Sequence, residues 1–177
     1  MRAGLKISAA AACAVTALAL PAAASAKVVT YGGKISPSAE GAIAMDVKTN
    51  KKGVPKRIIA LRGQKVPAQC EKSGELTIGI NLNRENTVNP DGSPFAIEIR
   101  RNAKFGFTYT DPTYGWKRSI KGEFGGKRFK RVTGTFTFGA HYPADDKYPE
   151  ETCQTDLLDY SAKRGGPDLV EPQRARR

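Results

Sequence analysis

Histidine is almost missing from this sequence: His141 is the only one, beside three cysteines, two methionines and one tryptophan in 177 residues. Two cysteines and one histidine fall short of the four donors a structural zinc site needs. No G-x-S-x-G stands before a helical pattern, so nothing marks a hydrolase nucleophile elbow. Helix-turn-helix, zinc-finger and RNP-type patterns are missing too, which argues against sequence-specific nucleic acid. Beyond residue 26 no amphipathic helical period runs for ten or more residues, which points away from helical folds. Neither a cofactor nor a metal is called for.

What is present begins at the N-terminus. Met1, Arg2 and Lys6 form a short positive region, residues 7–20 are apolar and Ala-rich, and Pro21 and Ala24-Ser25-Ala26 follow. Those parts in that order predict a secretory signal peptide over residues 1–26. The apolar run is shorter than the ~20 residues a spanning helix needs, so the membrane enters only through export. An uncleaved anchor is the competing reading. A lipoprotein at Cys13 is set aside, because Ala10-Ala11-Ala12 rather than a Leu-led box precedes it.

Cleavage leaves 151 residues, about one domain. Losing Arg2 and Lys6 leaves 27 basic against 17 acidic residues, a net charge of +10. A chain this basic attracts polyanions. Cys13 leaves with the leader, and Cys70 and Cys153 remain. In an oxidising compartment they have one intramolecular pairing available, and a disulfide is expected, the alternative being two buried thiols.

From Lys27 onward apolar residues recur with period two: Ile43, Met45 and Val47; Leu76, Ile78, Ile80 and Leu82; Phe95, Ile97 and Ile99; Phe105, Phe107 and Tyr109; Trp116, Ile120 and Phe124; Val132, Phe136 and Phe138. This is the pattern of half-buried strands. Turn formers punctuate it: Gly32-Gly33, Asn50, Gly53, Asn89-Pro90-Asp91-Gly92, Asp111-Pro112 and Gly125-Gly126, the last predicting a tight hairpin. Residues 141–151 read as an acidic loop, and Leu157, Leu158, Tyr160 and Ala162 as a last strand. The expected fold is all-β: an antiparallel β-sandwich over residues 27–163, with a barrel as the alternative. Residues 164–177 read as a disordered basic tail ending Arg174-Ala175-Arg176-Arg177.

Several segments stand in a suggestive order. Thr30-Tyr31-Gly32-Gly33 and an alternating strand over residues 42–47 come first. Cys70 follows a basic strand. Then come Ile120-Lys121-Gly122-Glu123-Phe124, Val132-Thr133-Gly134-Thr135-Phe136 and a late Cys153. Over residues 28–162 this resembles small secreted β-sandwich proteins of unknown function from high-GC Gram-positive bacteria. The resemblance implies that the G-x-F and G-T-F segments are neighbouring strands, that the two cysteines pair and that the protein is secreted. It implies no activity and no site residues. Members often carry a tryptophan in the last strand, where this chain has Leu158 and Tyr160.

The main functional candidate is a basic surface. Lys48, Lys51 and Lys52 cluster, then Lys56 and Arg57; Arg100, Arg101 and Lys104 flank a turn. Lys117, Arg118 and Lys121 follow Trp116, and Lys127, Arg128, Lys130 and Arg131 follow the Gly-Gly turn. Phe105, Phe107, Tyr114, Trp116 and Phe129 interleave with them. Basic grooves with aromatic platforms bind single-stranded nucleic acid, and the same combination suits anionic sugars. Strand parity puts Lys117 and Lys121 on the face opposite Trp116, Ile120 and Phe124. The proposed polyanion set is therefore Lys117, Lys121, Lys127, Arg128, Lys130 and Arg131, with Trp116. Against it stands plain solubilisation and protection of sheet edges by lysine.

Other constellations are weaker. Asp145, Asp146, Glu150 and Glu151 offer oxygens to a cation but match no EF-hand spacing. His141 has Tyr142 and Asp145 near it in sequence but no placed nucleophile. Glu98 and Glu123 could serve as paired carboxylates only if folding brings them together. Thr133, Thr135 and Thr137 form a row on one strand face, which strand propensity alone explains. The expectation is a secreted, non-enzymatic binding or structural module for anionic cell-wall or extracellular polysaccharide. The alternatives are a small hydrolase of wall sugars and an inhibitor-like protein-binding module.

Overall fold

The computed structural model describes residues 26–89, 91–144 and 149–169. All of the expected signal peptide but Ala26, the Asp145 and Asp146 pair, and the chain from residue 170 onward lie outside the described residues. Among the described residues there is no helix. The strands are β1 (Lys27–Ser36), β2 (Ala42–Thr49), β3 (Pro55–Cys70), β4 (Gly74–Asn83), β5 (Ile97–Glu98) and β6 (Lys104–Thr110). They continue with β7 (Lys117–Gly125), β8 (Arg131–Thr137), β9 (Gly139–Tyr142), β10 (Glu151–Gln154) and β11 (Leu158–Arg164).

All of them join one antiparallel sheet, in the order β6-β7-β8-β11-β1-β2-β3-β10-β9, with β4 and β5 also paired to β3. β3 is the long member at 16 residues and can carry four partners. A register shift between Gly63 and Val66 bends it, with Lys65 at a φ of 50°. Such a bulge is the usual way a strand turns a corner. The strip curls until Leu61, Leu82 and Phe95 face Ile120, Phe136 and Phe138 across a cavity of only about 10 Å³. The result is an antiparallel β-sandwich made from one continuous, barrel-like sheet.

The expected alternation holds. Ile43, Met45 and Val47 are fully buried, as are Tyr31 and Ile35 on the neighbouring strand. Tyr160 enters the core between two glycines paired across β7 and β8, Gly122 and Gly134. A Cβ on Gly122 would lie 2.2 Å from the Tyr160 hydroxyl, and one on Gly134 would lie 1.9 Å from the Lys121 carbonyl. The Tyr160 hydroxyl donates to that same carbonyl at 3.2 Å, so the ring is both packed and satisfied. Burial pushes its phenol far up.

Cys70 and Cys153 are bonded, directly opposite one another in the β3–β10 pair and 83 residues apart in sequence. Closing a loop of that length removes roughly 4.5 kcal/mol of chain entropy from the unfolded state in the loop-closure picture.

The C-terminal expectation needs correcting over residues 164–169. Arg164 closes β11, and residues 165–169 fold back as a strap instead of trailing free. The strap crosses the outer face of β1, where a Cβ on Gly32 would strike the Pro167 carbonyl. It then ties Asp168 to Arg62 on β3 at 2.7 Å and buries Leu169. Polar composition suggested disorder; one leucine, one ion pair and the Gly165 N–H bond to the Thr30 carbonyl hold the segment where Gly32 leaves it room.

Candidate functional site

The β7–β8 connection runs from Gly126 to Lys130 and is longer than a two-residue hairpin. Arg128 and Phe129 both lie at positive φ, 59° and 55°. For residues with a side chain that costs on the order of 1 kcal/mol each. Neighbouring contacts hold the turn. Phe129 N–H donates to the Gly126 carbonyl at 3.1 Å, and the buried Tyr31 hydroxyl donates to the Phe129 carbonyl at 2.7 Å. With the backbone pinned, Lys127, Arg128 and Lys130 stand exposed at one end of the sandwich.

Four other elements deliver cations to the same end. Arg131 opens β8 opposite Lys163 of β11, and Arg164 N–H donates to the Lys130 carbonyl. The Arg164 guanidinium reaches over the β2–β3 turn, 3.6 Å from where a Gly53 Cβ would stand, which brings Lys51 and Lys52 alongside. Asn50 Oδ1 accepts from Lys52 and Val54 N–H at 3.0 Å each and shapes that turn. Arg100 and Arg101 arrive on the β5–β6 turn, fastened by the Phe124 N–H to the Ala103 carbonyl. None of these ten basic residues forms an ion pair among the described residues.

Several acids lie at the other end. Glu40, Glu71, Asp111, Glu150 and Asp156 all lie in connections that the antiparallel topology places opposite the β7–β8 turn. Asp91 and Glu98 share a depression with Lys48 and Arg57, and Glu123 pairs with Lys104, so acids reach the basic end as well; what distinguishes that end is a local excess of cations carried by its turns.

The proposed polyanion set is thus split. Lys127, Arg128, Lys130 and Arg131 are together. Lys117 is at the far end of β7, eight residues from Gly125 at the basic end, which is roughly 27 Å along a strand. Lys121 is midway, exposed on the outer face as parity requires. Trp116 does not join them. It packs beside Tyr109 at 5.5 Å and covers Arg118 at 4.3 Å, on the side turned away from Lys117 and Lys121. Arg118 also lies 4.8 Å from the Phe138 ring and donates through Nε to the Gly139 carbonyl. Burial lowers its pKa, against the pull of Tyr109, Tyr142 and Asp111. Trp116 Nε1 and His141 Nδ1 are buried without a partner among the described residues.

Lys121 borders a second feature that sequence reading missed as a surface. On the outer face of β6–β8 a shallow depression of about 560 Å³ is lined by Arg100, Lys104, Gly106, Lys121, Thr133 and Thr135, with Glu123 between Lys104 and Thr133 on its floor. Glu123 sits 3.7 Å from Lys104 Nζ. Two of the three threonines of the noted row line this depression; the register that pairs Lys121 with both Gly106 and Thr135 was the missing signal.

The remaining constellations disperse. His141 stacks on Tyr114 at 3.7 Å and meets Glu150 through Nε2 at 3.0 Å. Neither a hydroxyl nor a thiol bonds to it among the described residues. Glu151 is committed to Ser73 Oγ at 2.6 Å and to the Ser73 and Lys72 N–H groups, which hold its carboxyl below the usual range. Glu150 and Glu151 therefore do not converge on a common point. Glu98 pairs with Arg57 beside one depression and Glu123 lines another, so they do not flank a shared cleft.

No protein-family model matches the chain, and neither the curated proteins nor the solved structures contain a match.

Proposed function

We propose that this is a secreted, non-enzymatic module that binds anionic polymers of the cell envelope or extracellular matrix through its basic end. The observation that carries the reading is the convergence of three turns and the ends of β8 and β11 on one surface whose ten cations form no ion pair among the described residues. An isolated lysine on a strand edge serves solubility; a fixed cluster built on a strained, hydrogen-bonded turn raises the local potential over an extended area. Two cysteines joined across strands suit an oxidising compartment, and the signal-peptide pattern supplies the route there.

The test is retention on a heparin resin across a salt gradient. Lys127→Glu with Arg128→Glu should elute at far lower salt than the parent, since each lost ion contact shallows the log–log salt dependence by roughly one unit. Lys65→Glu with Lys72→Glu, at the opposite end, and Arg176→Glu with Arg177→Glu in the tail change charge equally and should shift retention little. Equal losses from all three pairs would reduce the effect to net charge. Retention insensitive to salt would remove the reading. Export is checked by mass spectrometry of protein recovered outside the cell, which should begin at Lys27; a chain still holding Cys13 would refute it.

A further inference from the structure

Resting on the basic end as the anchor, we infer that the ligand is a hydroxyl-bearing polyanion, a sugar or polyol polymer with one anionic group per repeat. It lies along the depression on the outer face of β6–β8. That depression carries both chemistries such a chain needs. Lys121 is opposite Gly106 on one side and Thr135 on the other. Lys104 is the diagonal neighbour of Lys121 across β6–β7, roughly 7–8 Å away between backbones. Arg100 stands at the mouth, where the depression opens toward the cationic turns. Between these charges the floor is recessed because Gly106 has no side chain: the nearest atoms to a Cβ there are 3.8 Å away. The Thr133 and Thr135 hydroxyls line it and hydrogen-bond to nothing among the described residues. A hydroxyl both donates and accepts, which matches the hydroxyls of a sugar or polyol.

The same face lacks what other polyanions need. Bases of single-stranded nucleic acid bind by stacking on aromatic rings. The one ring along the depression, Phe105, is 4% exposed and belongs to the core. Trp116 and Tyr109 pack together at the far end of the hairpin, on the other side of β7. A chain running from Arg131 past Thr133 and Thr135 follows successive outward positions on β8, each step spanning roughly 7 Å, with Lys121 opposite Thr135 and with Glu123, paired to Lys104, opposite Thr133. A polymer fits that path, and a single sugar reaches only part of it.

Binding of the full chain should be measured by calorimetry with four probes: polygalacturonate, poly(glycerol phosphate), polyacrylate and oligo-dT of similar charge. Polygalacturonate or poly(glycerol phosphate) should bind more tightly than polyacrylate, which has the charge without the hydroxyls; the tighter of the two names the anion. Thr133→Val with Thr135→Val keeps strand shape and should weaken that binding about tenfold, two hydrogen bonds' worth, leaving polyacrylate unchanged. Circular dichroism confirms that the variant is folded. If the threonine pair has no effect, or polyacrylate or oligo-dT binds as tightly as the hydroxylated probes, the inference falls. Loss of all binding in Lys127→Glu with Arg128→Glu would then show that the basic end still anchors polyanions. Dependence on the threonines with no dependence on Lys127 and Arg128 would instead overturn the basic end as anchor.

Discussion

Arg62 gives the sharpest stability prediction. Its guanidinium grips Asp46 with two bonds, Nη1 to Oδ2 at 2.8 Å and Nη2 to Oδ1 at 3.0 Å, and touches Asp168 Oδ1 at 2.7 Å. Thr30 Oγ1 adds a fourth bond, to Asp46 Oδ1 at 2.8 Å. The Arg62 and Asp46 side chains are 14% and 21% exposed, whereas Asp168 is 62% exposed. Removing one partner of a buried pair costs about 3–5 kcal/mol, and partial exposure brings the figure for Arg62→Met to about 2–3 kcal/mol. Asp168→Ala breaks an exposed contact and should cost no more than about 1 kcal/mol. For a domain this size each kcal/mol moves Tm by about 3 °C, so the two variants are separable by calorimetry.

The pH dependence sharpens the test. Burial alone would raise the Asp46 pKa, but the Arg62 and Thr30 hydrogen bonds and the Arg62 charge bring it below the ordinary value. A lowered folded pKa contributes stability that is fully present above the unfolded value near ~3.9 and is lost as pH falls through the folded one. In Arg62→Met only burial and Thr30 remain, and Asp46 can protonate to escape the penalty. Urea titrations should therefore show a gap between parent and variant that is widest near neutral pH and narrows below about pH 4. A gap that persists unchanged in acid, or an Arg62→Met cost no larger than that of Asp168→Ala, would refute the reasoning.

Cys70→Ser with Cys153→Ser should cost about 2–5 kcal/mol, and the parent should lose the same amount on full reduction; melting curves with and without reductant check it, and coincident curves would contradict it. Gly134→Ala should cost about 3 kcal/mol or more or prevent folding, because the new methyl meets a backbone carbonyl at 1.9 Å. Gly106→Ala, in open space, should stay within about 0.5 kcal/mol by denaturant titration; equal losses would mean that the Tyr160 packing is looser than described.

Local signals carried far. Period two follows from the pleat of any extended backbone, so the alternation at Ile43, Met45 and Val47 was enough to identify strands and their inner faces. The same parity put Lys121 outside and Phe124 inside. A cysteine count of two in the expected mature chain left one pairing, and that is the disulfide formed. Alternation and facing depend on residues a few positions apart, and the disulfide, though it spans 83 residues, had no competing partner in that chain, which is why one sequence sufficed.

The site depends on residues far apart. Lys51, Arg101, Lys127 and Arg164 meet because β11 inserts between β8 and β1, a pairing of non-consecutive strands that no local period reports. Lys117 and Lys127 look equivalent as basic neighbours of one strand, yet its two ends sit at opposite poles of the molecule. The strap over residues 165–169 shows the same limit, since its composition is polar and its order comes from Arg62 on β3 and from the room left by Gly32. Strand identity and facing were determined by the sequence through local backbone geometry, and the disulfide through the cysteine count. Which turns share an end, and so where charge accumulates, was decided only by tertiary structure, because long-range strand order sets it.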